Sequence, residues 1–367
     1  MFRLSGAFVA DCGFHEARPD RNPLAHTDRS SPTIKSITYL NQPSNATMAT
    51  FIKAVPSTIL IFGASGHIGG PLAQFLAREA PETKLRLATS NDSKKAQLQS
   101  AFPDAEVVVA NYADASSLSA AVTGAEGVFV ITPPGLHEEK PMTDLVSALK
   151  QAGSATQIIR FLGLFPEFPS SKIPPELGPG SLPVEHRIAQ KIFDDSGLPV
   201  TYVNCGATFM DNLAIQMRAV LAKKTVIWPE HRVPWMDPRD VAEVVGRLFL
   251  STNAKHIGAF HTMNNGHDLM TFKELSIIMS EIFDEPIGYD GSHEAFAGFY
   301  GKVMGPHLSQ VLWNFFKFEE AHEEVWALNN FVERTIGRKP VTVRQWLLEH
   351  KDDLKRGEGD LGWAARG

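Results

Sequence analysis

An apolar run that stops in three glycines spaced three apart constrains this chain more than any other feature. Ser57-Thr58-Ile59-Leu60-Ile61-Phe62 is followed by Gly63-Ala64-Ser65-Gly66-His67-Ile68-Gly69, and Ile68, Leu72, Phe75 and Leu76 then recur at helical spacing. The short β-branched run reads as a buried parallel strand, and the periodic run after it as the inner face of a helix. A strand turning into a helix on glycines is the geometry that a dinucleotide pyrophosphate needs. Gly63 allows the tight turn, Gly66 admits the phosphates close to the backbone, and Gly69 lets the helix pack on the strand. The helix N-terminus adds unpaired N–H groups and partial positive charge.

Leu85-Arg86-Leu87-Ala88-Thr89 supplies the second strand of a βαβ unit. An Asp or Glu at its tip would accept hydrogen bonds from the ribose 2′-hydroxyl of NAD. This chain has Thr89-Ser90-Asn91 there, with Lys94 and Lys95 just beyond Asp92. Small polar groups and lysines suit a 2′-phosphate, so Ser90, Asn91 and Lys94 are assigned to it and NADP(H) is favoured over NAD(H). Lysines on the solvated face of the next helix would look the same.

The alternation continues. Strands are expected at 105–110, 127–131, 157–162 and 200–203, with helices at 116–122, 138–152 and 184–196. Strands alternating with helices through short links mean a doubly wound parallel sheet, with its ligand crevice at the carboxyl ends of the strands. Beyond residue 206 the pattern is mixed. Helices near 213–222, 238–251 and 271–283 are separated by short apolar pieces, Thr225–Trp228 and Gly258–Thr262. The fold class expected is therefore α/β: a Rossmann doubly wound parallel sheet over residues 56–205, then a smaller α+β substrate lobe over 206–355, the sheet partly shared. The Pro- and Gly-rich link from Phe165 to Pro183 is expected to form part of a substrate wall.

Residues 1–55 lack apolar periodicity and read as a disordered or mispredicted extension, with Met48 an alternative start. The 367 residues carry a formal charge of −6, which with no basic run gives no reason to expect nucleic-acid binding. No apolar stretch reaches the ~18 residues of a membrane span. Two cysteines, Cys12 and Cys205, exclude a disulfide framework. The histidines from His137 to His322 are dispersed without metal-ligand spacing, so no metal is expected. Ser170, Ser171 and Ser181 lack a G-x-S-x-G elbow, which argues against a hydrolase. A cytoplasmic monomer or homodimer acting on a small molecule fits this profile.

Several ordered segments together resemble the NmrA-like family of atypical short-chain dehydrogenase/reductases, nearest to its NADPH:quinone reductase branch. They are Gly63–Gly69, Ala110-Asn111-Tyr112-Ala113-Asp114, Glu185-His186 with Lys191, Asp195-Ser196-Gly197-Leu198-Pro199-Val200-Thr201, Phe209-Met210-Asp211-Asn212 and Asp237-Pro238-Arg239-Asp240-Val241-Ala242. The resemblance covers about 58–350. It implies that Gly63, Ser65, Gly66, His67, Ile68 and Gly69 hold the pyrophosphate. By the same resemblance Asn111 and Tyr112 border the adenine, and Thr132, Pro133 and Pro134 the nicotinamide ribose. Ser90 stands where many relatives place an Arg on the 2′-phosphate.

Typical members of the wider superfamily carry Tyr-x-x-x-Lys, whose lysine tunes the tyrosine for proton exchange. Here the lysine position holds His186 and the tyrosine position Leu182, while Gly163, placed against the cofactor, replaces the assisting serine. That argues against simple carbonyl reduction. A quinone, however, accepts hydride readily, so proximity and orientation suffice. His186 is the candidate catalytic residue, with a pKa in the useful range; anchoring the ribose is the alternative. Phe165, Phe209, Tyr300 and Trp313 are the candidate substrate contacts, the last two from an aromatic-rich stretch that is otherwise core. Hydride transfer from NADPH to a quinone or related conjugated acceptor is one function. An NAD(P)-sensing regulator with a protein partner is another, and a redox-neutral isomerase or dehydratase a third.

Overall fold

The computed structural model describes residues 52–164, 182–323 and 326–357. All of them fall within one compact unit. Strands and helices alternate from the start: β1 (Thr58–Ile61), α1 (Gly69–Glu79), β2 (Lys84–Thr89), α2 (Lys95–Ala101), β3 (Glu106–Val109), α3 (Ala115–Val122) and β4 (Gly127–Val130). α4 (Glu139–Ala152), β5 (Gln157–Leu162), α5 (Leu182–Asp194) and β6 (Val200–Cys205) complete the series. After β6 come β7 (Thr208–Phe209), a 3-10 turn at Met210–Asn212, α6 (Leu213–Lys223), β8 (Thr225–Ile227), β9 (Arg232–Met236), α7 (Pro238–Leu250) and β10 (Phe260–Met263).

The main sheet has the order β10-β6-β5-β4-β1-β2-β3, and every pairing in it is parallel. The strand order reverses between β1 and β4, so a crevice opens at their carboxyl ends. β4, β5 and β6 are buried along their whole length, which is why they read as continuous apolar runs rather than alternating ones. Their side chains divide between two cores. Ile59, Ile61, Phe129, Ile159 and Phe161 pack under α1 and α7, whereas Leu60, Val128, Val130, Ile158 and Leu162 pack under α3, α4 and α5. Each fully buried Leu or Ile contributes roughly 2 kcal/mol before its entropy cost.

The apolar piece at 258–262 forms β10 and extends the main sheet beside β6, with Phe260 opposite Tyr202 and Met263 opposite Cys205. Lys53, a few residues before β1, is also fixed: it donates through Nζ to the Phe249 carbonyl at the end of α7. Burial lowers the Lys53 pKa to about 8.

The rest of the chain adds β11 (Leu269–Thr271), α8 (Phe272–Phe283), β12 (Gly288–Asp290), α9 (His293–Met304), α10 (Pro306–Ala321), α11 (Phe331–Ile336), α12 (Val343–Glu349) and α13 (Lys351–Arg356). Two small sheets, β11-β9-β7 and β12-β8, brace these helices. A third core around Trp228, Trp235, Phe272 and Phe296 lies among them. Among the described residues no helix is long and apolar enough to cross a membrane.

Candidate functional site

The turn between β1 and α1 is held by its own backbone. Gly63 has φ +66°, a left-handed conformation that costs only glycine nothing, and its carbonyl accepts from Gly66 N–H at 2.9 Å. A Cβ on Gly69 would stand 2.2 Å from that same carbonyl oxygen. Helix α1 starts without a side-chain cap. Among the described residues the N–H groups of Ser65, His67 and Ile68 meet no acceptor. Orphan donors at a helix N-terminus, sitting at the carboxyl end of a parallel sheet, form a seat for an anion. The His67 ring turns aside. Its Nδ1 lies 2.6 Å from Asp211 Oδ2, and it meets the Phe209 ring edge-on at 4.9 Å. Phe209 in turn stacks on Phe161 at 6.2 Å.

On the β2 side, Ser90, Asn91 and Lys94 are exposed. Asn91 is partly committed: Oδ1 accepts from Lys94 N–H at 3.3 Å and from Ser93 Oγ at 2.6 Å. Asn111 is a turn residue, its side chain accepting from Ala113 N–H at 2.9 Å. Tyr112 joins the ends of β1 and β4. Its ring stacks on Phe62 at 5.3 Å, and its hydroxyl donates to the Ile131 carbonyl at 2.9 Å. Burial pushes that phenol pKa upward.

Beyond the ends of β4 and β5 lies a closed polar network. Arg160, in the middle of β5, is fully buried, as is Glu138 before α4. The Arg160 guanidinium donates to Glu138 Oε2 and, at 3.2 Å, to Thr132 Oγ1. Thr132 Oγ1 donates to Glu138 Oε1, so the Thr132 hydroxyl is already engaged, while Pro133 and Pro134 stay exposed. Glu185 of α5 accepts from Glu138 N–H at 2.7 Å, doing for α4 what its own capping side chain does not.

His186 belongs to this network, and here the sequence expectation is corrected. Its Nδ1 accepts from Gly163 N–H at 2.8 Å, leaving Nε2 as the protonated nitrogen, 3.6 Å from Glu138 Oε1. Gly163 therefore spends its N–H on His186. Burial, then the nearby Arg160 charge, drive the His186 pKa down to about 3. The imidazole is neutral at pH 7 and carries no spare proton. A histidine that is neutral when folded and ordinary when unfolded gives stability that is full above about pH 6.5 and lost as pH falls toward 3. The acid limb of the melting-temperature profile should accordingly be shallower for His186→Gln than for the parent. His261, held down to about 4 by burial and His256, acts in the same direction, so the difference between the two proteins is the readout. Parallel acid limbs would contradict a buried neutral imidazole.

The expected substrate contacts separate. Phe165 lies outside the described residues. Phe209 stands beside the glycine turn, as above. Tyr300 is fully buried, its hydroxyl donating to the Ile215 carbonyl at 3.3 Å, so it is core and faces no open crevice. Trp313 packs against Phe296 at 5.6 Å and His293 at 4.7 Å, within the same aromatic cluster. Sequence reasoning missed Arg160, Glu138 and Asp211. Two signals were available: Arg160 is a charge in the middle of an apolar strand, and Asp211 lies inside one of the segments that carry the resemblance.

Comparison with known proteins gives a consistent picture. The model of the NmrA-like family matches residues 56–343. A (4-alkanoyl-5-oxo-2,5-dihydrofuran-3-yl)methyl phosphate reductase of Streptomyces griseus is 24% identical over 302 residues, 80% of this chain and 98% of that protein. An NAD(P)H azoreductase of Xenophilus azovorans is 27% identical over 235 residues, 63% of this chain and 76% of that one. The NADPH complex of an NADPH-dependent quinone oxidoreductase from Escherichia coli has the same fold, with a TM-score of 0.67 at 21% identity, covering 80% of this chain and 99% of that one.

Proposed function

The chain belongs to the NmrA-like family, and from that premise we propose that it is an NAD(P)H-dependent reductase of a quinone or related conjugated small molecule. The observation that carries this reading is the set of free N–H groups at Ser65, His67 and Ile68. They suit the pyrophosphate, with Tyr112 toward the adenine end and the Thr132 to Pro134 turn toward the nicotinamide. The reductase names of the relatives and the NADPH held by the Escherichia coli protein support it. When bound, the dinucleotide supplies a hydride to the quinone. One proton must join the same acceptor to give the hydroquinone. His186, neutral and sealed by Glu138 and Gly163, is not its source, so the proton comes from water. The protein's part is then orientation and exclusion of competing reactions.

Lys94 and Lys95 are exposed and, among the described residues, form no ion pair. Two uncommitted cations beside the tip of β2 favour a 2′-phosphate. Lys94→Glu should weaken NADPH about 10-fold, worth ~1.4 kcal/mol, and leave NADH unchanged. An equal effect on both nucleotides, or none on either, would remove Lys94 from cofactor choice.

Activity is tested by following nicotinamide absorbance with a panel of quinones. Oxidation by at least one acceptor is expected. A sealed network whose imidazole is neutral also favours a second reading, a nucleotide-sensing regulator. Tight NADPH binding with no oxidation by any acceptor would establish that reading in place of the first.

A further inference from the structure

A second imidazole stands between the starts of α4 and α5, and unlike His186 it is open to solvent. His137 belongs to the loop that leaves the carboxyl end of β4 and enters α4. Its side chain is 75% exposed, and its Nδ1 lies 3.2 Å from Oε1 of Glu185, whose carboxylate is only 5% exposed. Resting on the reductase reading above, we propose that this pair delivers the proton to the reduced quinone, with His137 the donor and Glu185 its positioning residue.

The carboxylate is held from behind. Glu185 Oε2 accepts from Glu138 N–H at 2.7 Å, and the Glu138 side chain is fixed in turn by Arg160 and Thr132. The next residue, His186, is tied to Gly163 N–H at the end of β5. Oε1 is thereby kept at the His137 ring. An ionised carboxylate only accepts hydrogen bonds, so Nδ1 carries a proton and Nε2 is the nitrogen that gains and loses one. A carboxylate behind an imidazole selects that tautomer and stabilises the imidazolium.

Position singles out this imidazole. The pair bridges α4 and α5 above the carboxyl ends of β4 and β5, three residues beyond Pro134 on the turn given to the nicotinamide. Two other titratable groups of the crevice are disqualified. His186 is buried and neutral. The Tyr112 hydroxyl is spent on the Ile131 carbonyl, and burial pushes its pKa upward. His137 has neither restraint.

The step balances. The quinone takes a hydride, with its electron pair, from nicotinamide C4, whose C–H bond breaks; the quinone becomes a hydroquinone monoanion and the nicotinamide is oxidised. The Nε2–H bond of the His137 imidazolium then breaks as an O–H bond forms on that anion. Neutral hydroquinone leaves, and a proton from solvent returns to Nε2. Water remains the source overall, and His137 is the carrier.

The test uses the full chain, NADPH and the quinone of the panel that the parent reduces fastest. His137→Ala should lower kcat about 10-fold or more and leave the NADPH dissociation constant within about 2-fold. Added imidazole, at fixed pH and ionic strength, should restore turnover in His137→Ala and leave the parent unchanged. Glu185→Gln keeps an acceptor for the Glu138 N–H but removes the charge behind the ring, so it too should lower kcat, with an unchanged thermal melt. Unchanged kcat in His137→Ala, or a loss that imidazole does not restore, would overturn the relay and leave the reductase reading standing. A parent that binds NADPH but reduces no quinone would remove both.

Discussion

Gly66→Val raises the dissociation constant for NADPH at least about 100-fold, near 3 kcal/mol, while the apo protein stays folded. The two effects separate because of where the new atoms go. A Cβ on Gly66 meets the Gly63 carbonyl at 3.1 Å, a contact that a shift of a few tenths of an ångström relieves. The rest of the valine then occupies the space in front of the Ser65, His67 and Ile68 amides. Each charge-assisted hydrogen bond to a phosphate oxygen is worth roughly 1.5–3 kcal/mol, so excluding the anion from two of them accounts for the loss. Gly69→Val is different in kind. Its Cβ would lie 2.2 Å from the Gly63 oxygen and 2.7 Å from the Gly63 carbonyl carbon, so it should unfold the turn itself. Fluorescence titration of NADPH together with a thermal melt separates these outcomes. Unchanged NADPH affinity in folded Gly66→Val protein would refute the cradle.

The second large effect is on stability. Arg160→Met should cost about 3–5 kcal/mol, because it leaves Glu138 as an uncompensated buried charge. Urea unfolding at neutral pH measures it. The double variant Arg160→Met with Glu138→Leu should recover much of that loss, since removing both partners leaves no buried charge. A single variant that melts like the parent would mean that Arg160 holds no buried carboxylate. Should the double variant lose as much as the two single changes summed, the pair would not be coupled.

Much of the sheet is legible in the sequence because buried parallel strands leave an unmistakable pattern. Ile158, Ile159, Phe161 and Leu162, or Val128, Phe129 and Val130, have no polar face to alternate with, and helices separate them. The Gly63–Gly69 turn is legible for the same reason: few residue types satisfy a left-handed turn and a close helix approach together. Destination is harder to read than element type. Gly258 to Thr262 reads only as a short apolar piece between helices, and nothing in it tells which sheet accepts it; as β10, Phe260–Met263, it joins β6. Long-range polar pairs are the least legible. Arg160 announces a buried charge, yet its partner Glu138 is 22 residues away and unremarkable in sequence. His186 has the residue type of an acid–base group; only its surroundings, Arg160 and burial, show that it stays neutral. Tyr300 and Trp313 show the same limit, since aromatic density looks alike in a core and in a substrate wall.

The central claim is that the backbone of residues 65–68 receives a dinucleotide pyrophosphate, and a crystal structure of the protein soaked with NADPH tests it most directly. The account predicts phosphate oxygens within hydrogen-bond distance of the Ser65, His67 and Ile68 amides. A dinucleotide bound elsewhere, with those amides facing only water, would contradict it.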